Sequence, residues 1–440
     1  MKLAKNYHFK PNEKQSIIIG CLTYASARLY NAGNYERRNW EKDSGEPYPN
    51  WYVQKKEMKN DFWYKNLPSQ SAQETLKKLE KSWKSFYALM KKFKKGALKH
   101  RPQPPYYKAK NSHYNIWFLK GAITIEDGFF RLSLPKQLKV YLKEEYSIED
   151  NYLYVKIPNF LQLNGDIKQI EFKPLKNGKY KVSVVVEIPD AKVKPDNGRY
   201  LSIDLGVNNL MTCYDNANTK SFIISNGQWL SVNRYFDKKI KYYQAIANGQ
   251  QHKKDGSLVS TRRIQQLYKK RRGQLEHLIH SATKLIVDYC VENNINRVII
   301  GDITKIRENT NHGKKNNQKL HKLPFNIIYK QLEYKLAMKG IKMVKQNERY
   351  TSQCSPYSPE VNKKHGKKSN RKHRGLYIDK KYNTAFNADS VGAFNILRQY
   401  LKHIKSKLVL EVKGLNNPEI YSWNNLKFCK STHKGYRMVA

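Results

Sequence analysis

Residues 199–215 read RYLSIDLGVNNLMTCYD, and the fold is decided there. The run is apolar enough to predict strand, and KSFIIS at 220–225 predicts another. One acid, Asp204, interrupts the first of them. A carboxylate inside an apolar strand costs several kcal/mol unless it sits at a functional edge or binds a cation. Downstream, a long basic helix is expected from Ser260 to Asn293, then the fully apolar strand RVIIGD (297–302). A helix, FNIIYKQLEYKLAMKG (325–340), and a strand, IKMVKQNE (341–348), follow. Strands alternating with helices imply an α/β core with parallel central strands. The two strands 297–302 and 341–348 then lie side by side and end on one edge.

The last helix is expected from about Ala388, in NADSVGAFNILRQYL, with Asp389 at its start. Alone, an acid there is a helix cap favoured by the macrodipole. Paired with Asp204 on the first strand, it gives the skeleton of RNase H-like nucleases, in which three or four carboxylates hold two Mg²⁺ ions for phosphodiester cleavage.

Upstream of 199 the pattern differs. Met1–Pro11 predicts a short basic strand, and residues 12–99 are helical in pattern. In 71–93, Leu76, Leu79, Trp83, Phe86, Tyr87 and Met90 recur at helical spacing as a core stripe, with Ser69 and Ser71 where N-caps belong. Residues 91–118 interleave Lys and Arg with Tyr, Trp and Phe around a Pro-rich bend, a mixture that suits a nucleic-acid groove. Lys91, Lys92, Lys94 and Lys95 open that stretch. Short β-rich runs at 122–134, 152–158, 169–175 and 179–189, turned at Gly128 and Asn177-Gly178, predict a small antiparallel barrel or sheet. The polar stretch DAKVKPDNGR (190–199) marks a domain boundary.

Charge narrows the function. Lys and Arg number 83 against 36 acids, a net +47, and such self-repulsion calls for a polyanionic partner, nucleic acid first. Membrane is disfavoured as that polyanion, since no apolar run approaches the ~20 residues of a spanning helix, and Met1–Pro11 lacks a signal-peptide core. Five scattered cysteines without a CxxC pair argue against a disulfide framework and against a four-cysteine zinc site. On the long basic helix, Arg262, Arg263, Lys269, Lys270, Arg271 and Arg272 are candidate nucleic-acid contacts.

From Leu201 to Gln399 the chain resembles the RuvC domain of the TnpB/Fanzor family, transposon-associated RNA-guided nucleases that are ancestors of type V CRISPR effectors. The matching segments are SIDLGVNNL, VIIGDI, GIKMVKQNERYTSQCS and NADSVGAFNIL, in family order. LPSQSAQETL, SFYALMKKFKKG and LSLPKQLKV extend the resemblance through the N-terminal half.

The resemblance implies an α+β multidomain fold. Its parts would be a wedge-like β-barrel (1–11 and 100–195), a helical recognition bundle (12–99), an RNase H-like (RuvC) α/β domain (196–400) and a tail (401–440). It implies guide or scaffold RNA and double-stranded target DNA as partners of a monomeric ribonucleoprotein, in a prokaryotic cytoplasm or nucleoid or a eukaryotic nucleus. It implies Mg²⁺-dependent DNA endonuclease activity leaving 5′-phosphate and 3′-hydroxyl ends. A nuclease-inactive RNA-guided DNA-binding protein, a transposase and a CRISPR-associated effector are the alternatives.

Two departures from the family matter. The usual glutamate at the end of the apolar strand is replaced by Gly301, followed by Asp302. A branch of the family carries a relocated glutamate just before the YTS-like segment, which here is Glu348, so Asp204, Glu348 and Asp389 are the expected catalytic and Mg²⁺-binding set. Asp302 and Glu360 are alternatives for the middle acid. The family's zinc finger is degenerate: 351–386 keeps Cys354, with His365 and His373 at no standard zinc spacing, so no zinc is expected and a small basic hairpin remains.

Overall fold

The computed structural model describes residues 1–41, 43, 45–176, 178–250, 258–303, 323–373 and 375–431. Asn177 and the last nine residues of the expected tail therefore lie outside the described residues. The chain forms two compact units, Met1–Pro189 and Asp190–Ala440. Among the described residues no helix is long and apolar enough to cross a membrane.

The first unit runs β1 (Lys2–Phe9), α1 (Glu13–Asn39), α2 (Trp51–Glu57), α3 (Phe62–Lys65), α4 (Ser69–Lys94), β2 (Ile116–Leu119), β3 (Ile123–Glu126), β4 (Phe129–Ser133), α5 (Lys136–Tyr146), β5 (Tyr152–Lys156), β6 (Asp166–Pro174) and β7 (Tyr180–Glu187). Helix α1 starts at a capping box, Gln15 N donating to Asn12 Oδ1 (2.8 Å) and Asn12 N to Gln15 Oε1 (3.0 Å). Helix α4 starts differently from expectation. Pro68 holds the N-cap position, and the Ser71 hydroxyl donates to the Trp117 carbonyl instead of capping. Its stripe is buried through Leu76, Leu79 and Trp83, then surfaces at Tyr87.

The strands pair as two open antiparallel sheets, β1-β7-β6-β2 and β3-β4-β5, not as a closed ring of backbone pairing. Ile19, Leu22 and Leu76 from the helices share one buried core with Phe130, Phe172 and Val182 from both sheets. The helical stretch 12–99 is thus packed into the same unit as the strands rather than forming a module of its own.

The second unit runs β8 (Tyr200–Asp204), β9 (Asn209–Asp215), β10 (Lys220–Ser225), α6 (Gly227–Gln250), α7 (Arg262–Glu292), β11 (Arg297–Gly301), α8 (Phe325–Ala337), β12 (Lys342–Gln346), β13 (Arg371–His373), β14 (Leu376–Asp379), β15 (Thr384–Asn387), α9 (Ala388–His403), β16 (Glu419–Asn424) and β17 (Lys427–Lys430). Its main sheet has the order β12-β11-β8-β9-β10-β16-β17. The β12, β11 and β8 ladders are parallel, and β9 runs antiparallel to both β8 and β10. This is an α/β core with parallel central strands, as the alternation of strands and helices predicts. Two expectations are corrected. The domain does not end at 400, because β16 pairs parallel with β10 and β17 closes the sheet beyond it, the half-exposed EIYSWN run of β16 carrying little apolar signal. And α6 is a full helix on Trp229, Val232, Phe236 and Ile240 where only a strand followed by one helix was expected.

Period-two alternation sorts the central strands. Leu201 and Ile203 of β8, with Val298 and Ile300 of β11, enter the core shared with α7 and α8. Tyr200 and Ile299 enter the opposite core, with Val391, Phe394 and Ile396 of α9. Residues 202 and 204, and likewise 301, therefore face α9. Ile300 pairs with Ile203, so Gly301 is level with Asp204 at the strand ends. Beside them Gly301 pairs with Gln346 of β12, two residues before Glu348.

Candidate carboxylate site and nucleic-acid surface

Asp204 ends β8, and its carboxylate lies against Gly392 of α9: a Cβ on Gly392 would collide with Asp204 Oδ2. Asp389 sits one helical turn before Gly392 on the same face. It is not the cap. Asn387 caps α9, its Oδ1 accepting from Asp389 N and Ser390 N at 3.1 Å each, which leaves the Asp389 carboxylate for other partners. These are Asn209 Nδ2 on Oδ2 (2.8 Å) and Arg371 on Oδ1 (2.8 Å). Asn209 opens β9, and Arg371 comes from the 371–387 insert, a three-stranded antiparallel sheet (β13-β14-β15).

Glu348 completes the group. Its carboxylate occupies the space that a side chain at Gly301 would fill, since a Cβ built there collides with Glu348 Oε2. That oxygen is buried and has no hydrogen-bond partner among the described residues. Tyr329 fixes the strand end behind it, its hydroxyl donating to the Gly301 carbonyl and accepting from Ile303 N (3.1 Å).

Electrostatics tie the three together. Burial pushes the Asp204 carboxyl well above the usual range; the charges of Glu348 and Asp389 push it further, and Arg371 opposes them. Burial, then the charge of Asp302, pushes Glu348 up to about 7. A buried Asp204 that two neighbouring carboxylates keep from ionising, beside a Glu348 with an orphaned buried oxygen, forms a donor set suited to a hard divalent cation. Among the described residues no three acidic, imidazole or thiol groups stand at ligating spacing, so sharing an ion would require the side chains to draw in.

The two alternatives separate. Asp302 is exposed, one residue past the position level with Asp204. Glu360 is exposed and ion-paired with Lys402 at 2.7 Å. Lys402 lies at the far end of α9, about 20 Å from Asp389 at 1.5 Å per residue, so Glu360 is not part of the group.

The basic candidates also divide. Arg262, Arg263, Lys269, Lys270 and Arg272 are exposed on α7. Arg271 is not free: its guanidinium donates to Asn233 Oδ1 and pairs with Asp237 (3.2 Å), fastening α7 to α6. In the first unit, Lys91, Lys92, Lys94 and Lys95 are exposed at the end of α4.

Three features are not apparent from the sequence. The outer face of α6 sets Arg234, Lys238, Lys239 and Lys241 beside exposed Tyr235 and Tyr242; the signal was the apolar spacing of Trp229, Val232, Phe236 and Ile240. Asn209 stood in the SIDLGVNNL segment without a role. Arg371 was one cation in a basic run, and nothing local distinguished it.

Two family models match the chain: OrfB_IS605, described as "probable transposase", over residues 183–307, and the Cas12f1-like TNB domain over 325–396. The chain is 24% identical over 425 residues to the TnpB-like protein ORF457 of Acidianus two-tailed virus, covering 88% of this chain and 84% of the relative. It is 22% identical over 411 residues to InsQ of Escherichia coli K12, provisionally described as an RNA-guided DNA endonuclease, covering 90% of this chain and 91% of that one. Among solved structures, the Cas12f1–sgRNA–target DNA complex superposes with a TM-score of 0.57 at 15% identity, covering 88% of this chain and 83% of that one, a likeness of fold.

Proposed function

We propose that this chain is an RNA-guided DNA endonuclease of the TnpB kind, cutting with Asp204, Glu348 and Asp389. One observation carries the reading: Asp204 at the end of β8 feels the charges of both Glu348 and Asp389, and the glutamate fills the space left by Gly301. The donor set fits Mg²⁺, which when bound there would stabilise charge developing on the phosphodiester and on its attacking and leaving oxygens. Asp204 and Glu348 would hold it from the strand ends and Asp389 from the helix. Asn209 keeps Asp389 oriented by its hydrogen bond to Oδ2.

The partners follow from charge and kinship. At net +47 the chain needs polyanions, and its relatives are described as RNA-guided or stand in complex with guide RNA and target DNA. The exposed cations of α7 grip phosphates, and the rings of α6 offer stacking faces. The first unit, with Lys91, Lys92, Lys94 and Lys95, takes scaffold RNA and the duplex beside the target. Base pairing with the guide carries sequence specificity.

The test is to purify the protein with its co-purifying RNA and sequence that RNA. Retargeted guides are then assayed for Mg²⁺-dependent cleavage of matching DNA. Cleavage that follows the guide is expected; RNA-directed binding without cutting would make the protein a guided DNA binder and sink the nuclease reading.

A further inference from the structure

Glu348 stands two residues beyond β12, past the last ladder bond that could hold it. A short turn holds it, Thr351 N donating to the Glu348 carbonyl (3.3 Å), and α9 holds that turn. The Glu348 carbonyl accepts from Thr351 Oγ1 at 2.8 Å. Asn395 Nδ2 in turn donates to two carbonyls of the same loop, Thr351 O and Cys354 O, both at 2.8 Å. Asn395 Oδ1 accepts from Arg398 NH1 (2.9 Å), and Arg398 also donates to the Ser355 carbonyl (3.1 Å). Gln399 Nε2 donates to the Arg349 carbonyl at 2.8 Å.

Asn395 is fully buried on a helix whose neighbouring positions, Phe394, Ile396 and Leu397, are core. A buried amide there costs free energy unless its hydrogen bonds are made. Both amide hydrogens are committed to the loop that carries Glu348, and none to α9 itself. The same helix bears Asp389 in its first turn and abuts Asp204 through Gly392. One rigid element thereby sets all three acids: it bears one, abuts one and clamps the loop of the third.

We propose that Asn395 is a positioning residue for Glu348, fixing its carboxylate relative to Asp204 and Asp389 through Thr351, so that cation affinity depends on a side chain that touches no cation. This rests on the reading of Glu348 as the third carboxylate. Groups that orient metal ligands are worth about 10–100-fold in affinity or activity.

The experiment uses the whole ribonucleoprotein and four variants. Asn395→Ala removes the clamp, Thr351→Val removes the hydroxyl on Glu348 O, Leu397→Ala is a packing control on the same helix, and Glu348→Ala tests the underlying reading. Two readouts are taken: the Mg²⁺ concentration giving half-maximal guided cleavage, and Mn²⁺ binding to the metal-depleted complex, followed by the electron-spin signal of the free ion. Asn395→Ala is expected to raise both midpoints at least about tenfold and Thr351→Val severalfold, with guide RNA and target bound as in wild type. Leu397→Ala is expected to lower the melting temperature and move neither midpoint. Wild-type midpoints in a folded Asn395→Ala overturn the inference, as does a Leu397→Ala shift of the same size. If Asn395→Ala does not fold, Thr351→Val decides, and an unchanged midpoint overturns it. Wild-type cleavage by Glu348→Ala instead removes the reading beneath it, an outcome separable because it does not involve Asn395.

Discussion

The carboxylate edge of the main sheet and the outer face of the α6–α7 pair belong to one unit, yet hold their charges by opposite means. At the edge a few acids are closely set, with Asp204 against Gly392 and raised by burial and by the charges of Glu348 and Asp389, Glu348 against Gly301, and Asp389 tied by Asn209 and Arg371. On the helix face Arg262, Arg263, Lys269, Lys270 and Arg272 stand in solvent, and no one of them is placed by the others. Buried charge has one productive geometry, whereas exposed charge acts as a sum. Single substitutions should therefore be all-or-none at the edge and graded on the face.

The sharpest way to break this contrast is Asp204→Asn. The amide keeps the shape and removes the charge, so guided cleavage should fall by about 10³-fold or more with RNA and target binding retained. Cleavage within a few-fold of wild type, measured in single turnover, would mean that the edge is not where the chemistry happens. Gly301→Ala comes next. The added methyl meets the Glu348 carboxylate and, at 3.1 Å, Cδ1 of buried Ile396, both side-chain ends rather than backbone, so the fold should tolerate it while Glu348 is displaced. Cleavage should drop about 10–100-fold with the melting temperature nearly unchanged. A large loss of stability with normal activity in the surviving folded fraction would show that Gly301 is there for packing alone.

This contrast also sets what the sequence could reveal. Strands β8, β11 and β12 and helix α9 were legible because apolar runs with one misplaced acid have few other uses, and Asp204 and Asp389 came with them. Gly301 and Glu348 were legible as a pair only through family resemblance, because nothing local says that a missing side chain on one strand is filled from its neighbour. Arg371 and Asn395 act through tertiary contacts that no window spans. Strands β16 and β17 were missed because their residues are mostly half-buried or exposed, and α6 because its polar, Tyr-rich face obscured a regular core stripe.

A third effect is on stability. An acid raised by the fold is better bound by protons in the native state than in the unfolded one. Its stabilising share is thus present at low pH and lost as pH rises from the ordinary glutamate value through about 7. Metal-free Glu348→Gln should therefore be more stable than wild type at pH 8 by about 1–3 kcal/mol, and the advantage should fade towards pH 5. Thermal melts of the two proteins at both pH values check this. An equal difference at pH 5 and pH 8 would show that the ionised carboxylate carries no penalty in the fold.

The smallest effects are expected on the helix face, where Arg271 supplies the internal control. Arg271→Ala removes the bonds to Asn233 and Asp237 and should cost about 1–3 kcal/mol of stability. Lys270→Ala should cost almost none. Nucleic-acid binding should rank them the other way. Each phosphate left without its cation lowers the slope of log affinity against log salt by about 0.9 on duplex and about 0.7 on single strands. Stepwise removal of Arg262, Arg263, Lys269, Lys270 and Arg272 should therefore lower the slope in equal small steps, whose size reports which form of nucleic acid the face holds. A single substitution that abolished binding would mean that one of these side chains is as uniquely placed as Asp204, and the division between edge and face would fail.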